Sequence, residues 1–147
     1  MTAKMNPPQK SNPPQPEPSL DSAPYWESLR QGTFAIQRCT ACHQWQFPMV
    51  ADCRHCGGGF ALEPLSGKGT IYSFIVNHRA AAPGFEDLLP YAVALVSPDE
   101  APHLHIPGRI VGVANADIAI GQKVTAEIVD HPGGEWKVPV FRVTVPQ

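Results

Sequence analysis

The chain has 147 residues and a net charge of −2 at pH 7, with 43% hydrophobic and 16% charged residues, which is the balance of a globular protein. Residues 61–147 carry six basic and nine acidic side chains, and this excess of negative charge opposes binding to the phosphate backbone of nucleic acids. The start lacks the apolar run of a signal peptide, and no stretch approaches the roughly 18 apolar residues of a membrane span, so we expect no membrane contact and a cytoplasmic location.

Proline is concentrated at the start of the chain, where seven of the 17 prolines lie within the first 24 residues. This segment has almost nothing to bury, so burial cannot offset the entropy lost on ordering. We therefore predict a disordered or polyproline-like tail over residues 1–22. The remainder is predicted as two units, a docking helix with a zinc ribbon over residues 23–60 and a β-barrel over residues 61–147.

A short helix is predicted over residues 23–31 (APYWESLRQ). Asp21 or Ser22 provides an N-cap, and proline in the first turn followed by glycine after the last turn suits both ends. Trp26 and Leu29 are three residues apart and so share one face. That face is expected to pack against either the ribbon or a partner chain.

The clearest motif is the segment CTACHQWQFPMVADCRHC, which holds two C-x2-C pairs separated by ten residues. Because the chain shows no secretion signal, the cysteines are expected in a reducing compartment, where metal ligation is favoured over two disulfides. A redox dithiol would require a C-x-x-C at the start of a helix, and the nearby proline and glycines oppose a helix there. Two zinc knuckles would supply four thiolates and leave no position for water, so the ion is predicted to be structural. The predicted zinc ligands are Cys39, Cys42, Cys53 and Cys56.

Two histidines and three aromatic residues surround these cysteines in the sequence. His43 and His55 lie inside the knuckles, where each could replace a cysteine, but four sulfurs already satisfy the ion and we expect both rings to be solvent-exposed. Trp45, Phe47 and Phe60 are predicted to cover the metal site and pack it on the neighbouring unit.

From residue 60 onward the apolar residues alternate with a period of two between glycine, proline and aspartate positions, which predicts short β-strands. The predicted strands span residues 60–65, 69–78, 91–97, 106–113, 124–129 and 140–145. Five or six such strands form a barrel, and the two glycines of SGKGTIYSFIV allow the long first strand to coil sharply, as in OB-type barrels. The predicted fold class is mainly β, with a short N-terminal helix and a rubredoxin-like zinc ribbon followed by an OB-fold barrel.

Ligand-binding candidates come from the few basic groups of this acidic barrel. His78, Arg79 and Arg109 are the residues we nominate to contact a phosphate-bearing ligand or a carboxylate across an interface, with solvated side chains as the alternative. Loops over residues 79–90 and 130–139 would flank the ligand face of an OB fold. His103 and His105 are predicted to be surface histidines, since together they supply only two metal ligands.

Catalytic motifs are missing from the sequence. It has no glycine-rich phosphate loop, no G-x-S-x-G elbow and no H-E-x-x-H helix, and the cysteines are already assigned to zinc. We therefore predict a binding module that is not catalytic alone. A nucleic-acid-binding ribbon and barrel, with Tyr72 and Phe74 as stacking platforms, is an alternative that the acidic balance opposes.

The order of motifs resembles the DUF35 family of zinc-ribbon plus OB-fold acyl-CoA-associated proteins. The resemblance rests on YWESL, RCTACHQWQFPMVADCRHCGG, SGKGTIYSFIVNHRA, PYAVALVSPDE, IAIGQKVTAEI and VPVFR, and it covers nearly everything from residue 25 to residue 145. It implies a structural zinc ion and an accessory subunit of a thiolase-superfamily enzyme, such as a thiolase, acyltransferase or aldolase. Partnership with a MaoC-type acyl-CoA hydratase is an alternative.

In such an assembly the chemistry belongs to the large subunit, and the small chain buttresses it and helps to hold coenzyme A. A thiolase-fold partner implies a two-plus-two hetero-oligomer. The zinc ligands match the family position by position, whereas a coenzyme A role for His78, Arg79 and Arg109 is an inference from their charge. The proline-rich start departs from the family pattern.

Overall fold

The computed structural model describes residues 12–80 and 82–144. One helix, α1 (Ala23–Arg30), precedes eight strands. The strands are β1 (Ala35–Cys39), β2 (Trp45–Gln46), β3 (Phe60–Pro64), β4 (Lys68–Asn77), β5 (Tyr91–Pro98), β6 (Ile106–Val111), β7 (Lys123–Asp130) and β8 (Lys137–Val143). Short 3₁₀ turns occur at Glu86–Leu88 and Asn115–Asp117. No helix within the described ranges is both long enough and apolar enough to cross a membrane.

The strands form two sheets, one for the ribbon and one for the barrel. The ribbon sheet has the order β2-β1-β3 and is antiparallel. The barrel has the order β4-β5-β6-β8-β7 and closes through β7 and β4, with β6 and β8 as its parallel pair. Among the described residues, β4 pairs with β7 over residues 68–70, and the remainder of β4 pairs with β5 alone. The predicted fold class, a zinc ribbon followed by an OB-fold barrel, is confirmed.

Strand β3 belongs to the ribbon sheet, although its alternating pattern grouped it with the barrel strands. It pairs along its whole length with β1, from Ala35 opposite Pro64 to Cys39 opposite Phe60. Alternation identifies a strand but not its partner, which is decided by the return of the chain after the second cysteine pair. The barrel therefore consists of five strands, beginning at Lys68.

A β-bulge interrupts strand β4 between Ile71 and Ser73. A bulge adds one residue and so exchanges the two faces of the strand beyond it. Ile71 is buried in the core and Tyr72 points outward, yet Phe74 packs against the core and Ile75 is exposed. The alternative that used Tyr72 and Phe74 as two stacking platforms on one face is therefore wrong for Phe74.

Helix α1 lies between the ribbon and the barrel. Tyr25 and Leu29, four residues apart, are its buried side chains, and Trp26 packs against the same core while partly exposed. Tyr25 contacts Phe47 of the ribbon edge to face, with ring centroids 5.6 Å apart. The apolar face of the predicted docking helix is thus covered by this chain's own ribbon and barrel.

Part of the segment predicted as a disordered or polyproline-like tail (residues 1–22) makes contacts with the barrel. Residues 12–18 have no regular secondary structure, but they pack on the barrel, with Pro13 buried. Burial of apolar side chains does not predict these contacts, because this segment is held mainly by hydrogen bonds to backbone carbonyls and from one amide side chain. Residues 1–11 lie outside the described part of the chain.

Candidate functional site

The four predicted zinc ligands converge at one end of the ribbon sheet. Their sulfur atoms all lie within 4.8 Å of one another. The Sγ atoms of Cys39 and Cys56 are 3.4 Å apart, and those of Cys42 and Cys53 are 3.6 Å apart. A tetrahedral zinc ion with Zn–S bonds of about 2.3 Å requires sulfurs roughly 3.8 Å apart. The donor set therefore fits a four-coordinate thiophilic ion.

The two knuckles repeat the same backbone hydrogen bonds. His43 N–H donates to the Cys39 carbonyl at 3.0 Å, and Gly57 N–H donates to the Cys53 carbonyl at 2.8 Å. Both donors have a positive φ, 64° at His43 and 76° at Gly57. This turn brings the two sulfurs of each pair to the same side, which explains the C-x2-C spacing.

The thiols of Cys39 and Cys42 differ in acidity. A hydrogen bond from the backbone N–H of Cys42 lowers the pKa of Cys39 to about 6, so one thiolate forms readily. Although a backbone hydrogen bond involving Gln44 favours the thiolate of Cys42, burial and the sulfurs of Cys39, Cys53 and Cys56 together raise the pKa of Cys42. A second thiolate in this cluster is disfavoured until a divalent cation compensates the accumulated negative charge.

Trp45 and Phe47 pack against the core that the ribbon and the barrel share, and that they and Phe60 cover the metal site stays a prediction. Trp45 lies under the guanidinium of Arg38, 4.9 Å from its ring centroid, and is held beside the first knuckle. Gly58 leaves room for the cluster, because a Cβ at this position would lie 3.2 Å from Cys39 Sγ. His43 and His55 are exposed, as predicted.

The three nominated basic residues are not brought together. His78 and Arg79 follow β4 and are exposed, while Arg109 is half-buried on β6. Arg109 pairs with Val93, which pairs with Ile75. Arg109 is therefore two strands, about 10 Å, from Ile75, and His78 lies three residues, about 10 Å, farther along β4. Only an extended ligand could reach both positions.

An exposed apolar surface covers the outside of β4 and β5. This outer apolar face consists of Tyr72, Ile75 and Leu95, which are 54%, 62% and 37% exposed. His105 extends it, stacking on Tyr72 with ring centroids 3.9 Å apart. This face could not be predicted from the period of two in the sequence, because the bulge in β4 reverses the alternation between inward and outward side chains. Adjacent exposed hydrophobic residues on a sheet are a signal for an interaction surface.

Two family models match this chain. The rubredoxin-like zinc ribbon domain of ChsH2 matches residues 26–63, and the C-terminal OB-fold domain of ChsH2 matches residues 62–129. The two matches meet at residues 62–63, within β3, which is the last strand of the ribbon sheet.

Curated relatives add two further comparisons. The chain is 37% identical over 135 residues to a probable enoyl-CoA hydratase alpha subunit of Thermomonospora curvata, covering 91% of this chain and 41% of the relative. The chain thus spans about two-fifths of that relative's length. It is also 35% identical over 104 residues to a DUF35 domain-containing scaffold protein of Methanocaldococcus jannaschii, covering 69% of this chain and 72% of the relative.

Among solved structures, the chain is similar to one in the structure named Ltp2-ChsH2(DUF35) aldolase. The identity is 35%, the TM-score is 0.81, and the match covers 89% of this chain and 100% of the other. Ribbon, barrel and connecting order therefore agree with both the family models and a solved structure. This chain belongs to the DUF35 family, with the zinc ribbon and OB-fold domains of the ChsH2 type.

Proposed function

We propose that this chain is a non-catalytic accessory subunit that binds and stabilises a thiolase-like acyl-CoA enzyme. The observation that carries the proposal is the match over 100% of a chain of the Ltp2-ChsH2(DUF35) aldolase. The scaffold name of the archaeal relative supports a role in assembly. The chain would join a hetero-oligomer, with two copies of each subunit as the expected stoichiometry.

The outer apolar face is the surface proposed to contact the large subunit. Burial of an aliphatic side chain such as Ile75, which is 62% exposed, would contribute roughly 1 to 2 kcal/mol to association. The neighbouring Tyr72 is an aromatic anchor of the kind that dominates interface energies. The partner would bind this face through the side chains of Tyr72, Ile75 and Leu95.

Zinc is proposed to be a structural ion held by Cys39, Cys42, Cys53 and Cys56. With four sulfurs bound, the ion would supply folding free energy and no Lewis-acid position. The ribbon residues Phe34 and Ile36 are in the same core as the barrel. Zinc would therefore keep the ribbon in a fixed orientation toward the barrel.

His78, Arg79 and Arg109 are proposed to contact coenzyme A or acyl-CoA that is shared with the partner. Their support is charge: residues 61–147 contain six Lys and Arg side chains against nine acidic ones. Coenzyme A carries phosphates at one end and a long pantetheine arm, so an extended molecule would suit groups on different strands. Replacing Arg79 by alanine should then weaken coenzyme A binding by the complex while leaving subunit association intact.

Co-expression tests the assembly. The full chain is produced with a thiolase-like enzyme encoded beside it, and we expect the two to co-purify and the large subunit to lose activity or solubility alone. Ile75→Glu should weaken association by at least tenfold, because a charge would be buried at the interface. Leu20→Glu is the matched control, since Leu20 is equally apolar and 94% exposed but lies outside the outer apolar face. Equal effects of the two substitutions would refute the assigned surface.

A MaoC-type acyl-CoA hydratase is the alternative partner, favoured by the hydratase subunit name of the bacterial relative. Co-expression and co-purification with each candidate enzyme distinguish the thiolase-like partner from the hydratase partner. Recovery of a hydratase in place of a thiolase-like enzyme would replace the favoured assignment, and turnover of a thioester by the purified chain alone would refute the accessory role altogether.

A further inference from the structure

Two loops at one end of the barrel form a groove lined by glycines. We call it the loop groove; it comprises Gly84 in the β4–β5 loop and residues 131–134 of the β7–β8 hairpin. A Cβ on Gly84 would collide with the backbone of Pro13, and one on Gly133 would lie 2.6 Å from the Cβ of Asn12. A Cβ on Gly134 would collide with Oε1 of Gln15. The glycines thus provide space that a passing peptide fills.

The occupant is the N-terminal strap, residues 12–18 (NPPQPEP). Two hydrogen bonds attach it to the hairpin. Gln15 Nε2 donates to the Pro132 carbonyl at 2.8 Å, and the His131 Nε2 lies 2.8 Å from the Pro14 carbonyl, to which it is a donor when protonated there. These contacts join residues 117 positions apart in the chain. Pro13 is buried under them.

The contacts of the loop groove suit an extended, proline-rich peptide. Prolines restrict the strap to extended conformations before binding, so little entropy is lost when it enters a groove. Their carbonyls have no competing N–H on the same residue and are strong acceptors, which the groove meets with a histidine donor. The glutamine between prolines supplies the one amide that donates back to the groove.

We infer that the loop groove is a binding site for extended proline-rich peptides and that the N-terminal strap is its resident ligand. The strap joins the β4–β5 loop to the β7–β8 hairpin, and the groove accepts another peptide only when the strap leaves. A short tether gives the strap a millimolar effective concentration, so even a weak intrinsic affinity keeps it in place. This inference does not depend on the proposed partner enzyme, because it concerns contacts within one chain.

Hydrogen exchange in the full-length, zinc-loaded chain tests whether the strap is bound. The double substitution Pro13→Asp with Gln15→Ala removes the buried ring and the amide donor. We expect the amide of His131, which donates to the Trp136 carbonyl beside the strap, to exchange at least tenfold faster while exchange in β5 and β6 is unchanged. Glu17→Gln is the matched control, because Glu17 is an exposed strap residue. Identical exchange in the wild type and the double variant would overturn the inference.

Peptide titration followed by NMR tests the site itself. A synthetic peptide of residues 12–19, added up to millimolar concentration, should shift the amides of Gly84, Gly133 and Gly134 in the double variant. It should bind the wild type at least tenfold more weakly, because the tethered strap competes. Gly134→Val in the double variant should abolish the shifts by filling the groove. Equal binding to wild type and double variant, or no binding to the double variant, would refute a peptide site occupied by the strap.

Discussion

The two zinc knuckles differ at one position where the backbone requires a positive φ. Gly57 occupies it in the second knuckle and His43 in the first, and both N–H groups make the equivalent hydrogen bond to the first cysteine of the pair. A residue with a Cβ is strained in this left-handed conformation, whereas glycine is not. The first knuckle therefore stores strain that the second lacks.

Replacing His43 by glycine should stabilise the zinc-loaded protein. Removing the Cβ relieves about 1 to 2 kcal/mol of left-handed strain. Glycine also gives the unfolded chain more freedom, which offsets about 0.4 to 1 kcal/mol of the gain. Because the His43 side chain is exposed, little packing is lost. The net free energy of unfolding should rise by about 0.5 to 1 kcal/mol, and Gly57→Ala should lower it by about as much.

Urea denaturation at a fixed excess of zinc measures both changes, since bound metal contributes to apparent stability and must be held constant. The m-value should be the same for the wild type and both variants, so that a shift in midpoint reports stability alone. A destabilised His43→Gly protein, or two variants that change stability in the same direction, would refute the strain argument.

The core, the metal site and one ion pair each give a further prediction. Leu29→Ala should lower the free energy of unfolding by about 2 to 5 kcal/mol in urea melts, because Leu29 is fully buried, whereas Leu20→Ala should change it by less than about 0.5 kcal/mol. Cys53→Ser should abolish stoichiometric zinc in elemental analysis and lower the thermal midpoint of the barrel as well as the ribbon; full retention of zinc would contradict the ligand assignment. A hydrogen bond from Arg142 lowers the pKa of Glu127, so the ion pair stabilises the fold above the ordinary carboxyl pKa, and this stabilisation is lost as the pH falls through the lowered pKa. Thermal melts of Arg142→Gln between pH 2 and 7 should lack this pH-dependent part of the stability. A pH profile of the variant identical to that of the wild type would contradict the assignment.

Structural features that are set by residues close together in the sequence could be predicted from the sequence. Cysteine spacing determines the knuckle turns, so the convergence of Cys39 with Cys42, and of Cys53 with Cys56, could be predicted from the sequence alone. Alternation and punctuating glycines located the barrel strands to within a few residues, because the period of two follows from the pleat.

Long-range features could not be predicted in this way. The bulge in β4 depends on how β5 pairs with it, so the sequence did not reveal that Ile75 faces solvent. The place of β3 in the ribbon sheet depends on its pairing with β1. The strap was predicted as part of a disordered or polyproline-like tail, and its contacts could not be predicted because its anchors, such as His131, lie more than a hundred residues away. The glycine-rich hairpin and the proline-rich start were the features of the sequence that could have indicated contact between the strap and the hairpin.

The ribbon and the barrel are held in one relative orientation by a hydrophobic core that they share. Phe34, which follows α1, packs edge to face on Phe141 of β8 with ring centroids 6.3 Å apart, and Leu29 and Ile36 belong to the same buried cluster. Arg30 of α1 also forms an ion pair with Glu135 of the β7–β8 hairpin at 3.2 Å. Since close-packed interiors transmit displacement and do not absorb it, the orientation of the ribbon is coupled to the barrel. A zinc ion that holds the ribbon would therefore also preorganise the barrel surface that a larger enzyme is proposed to bind.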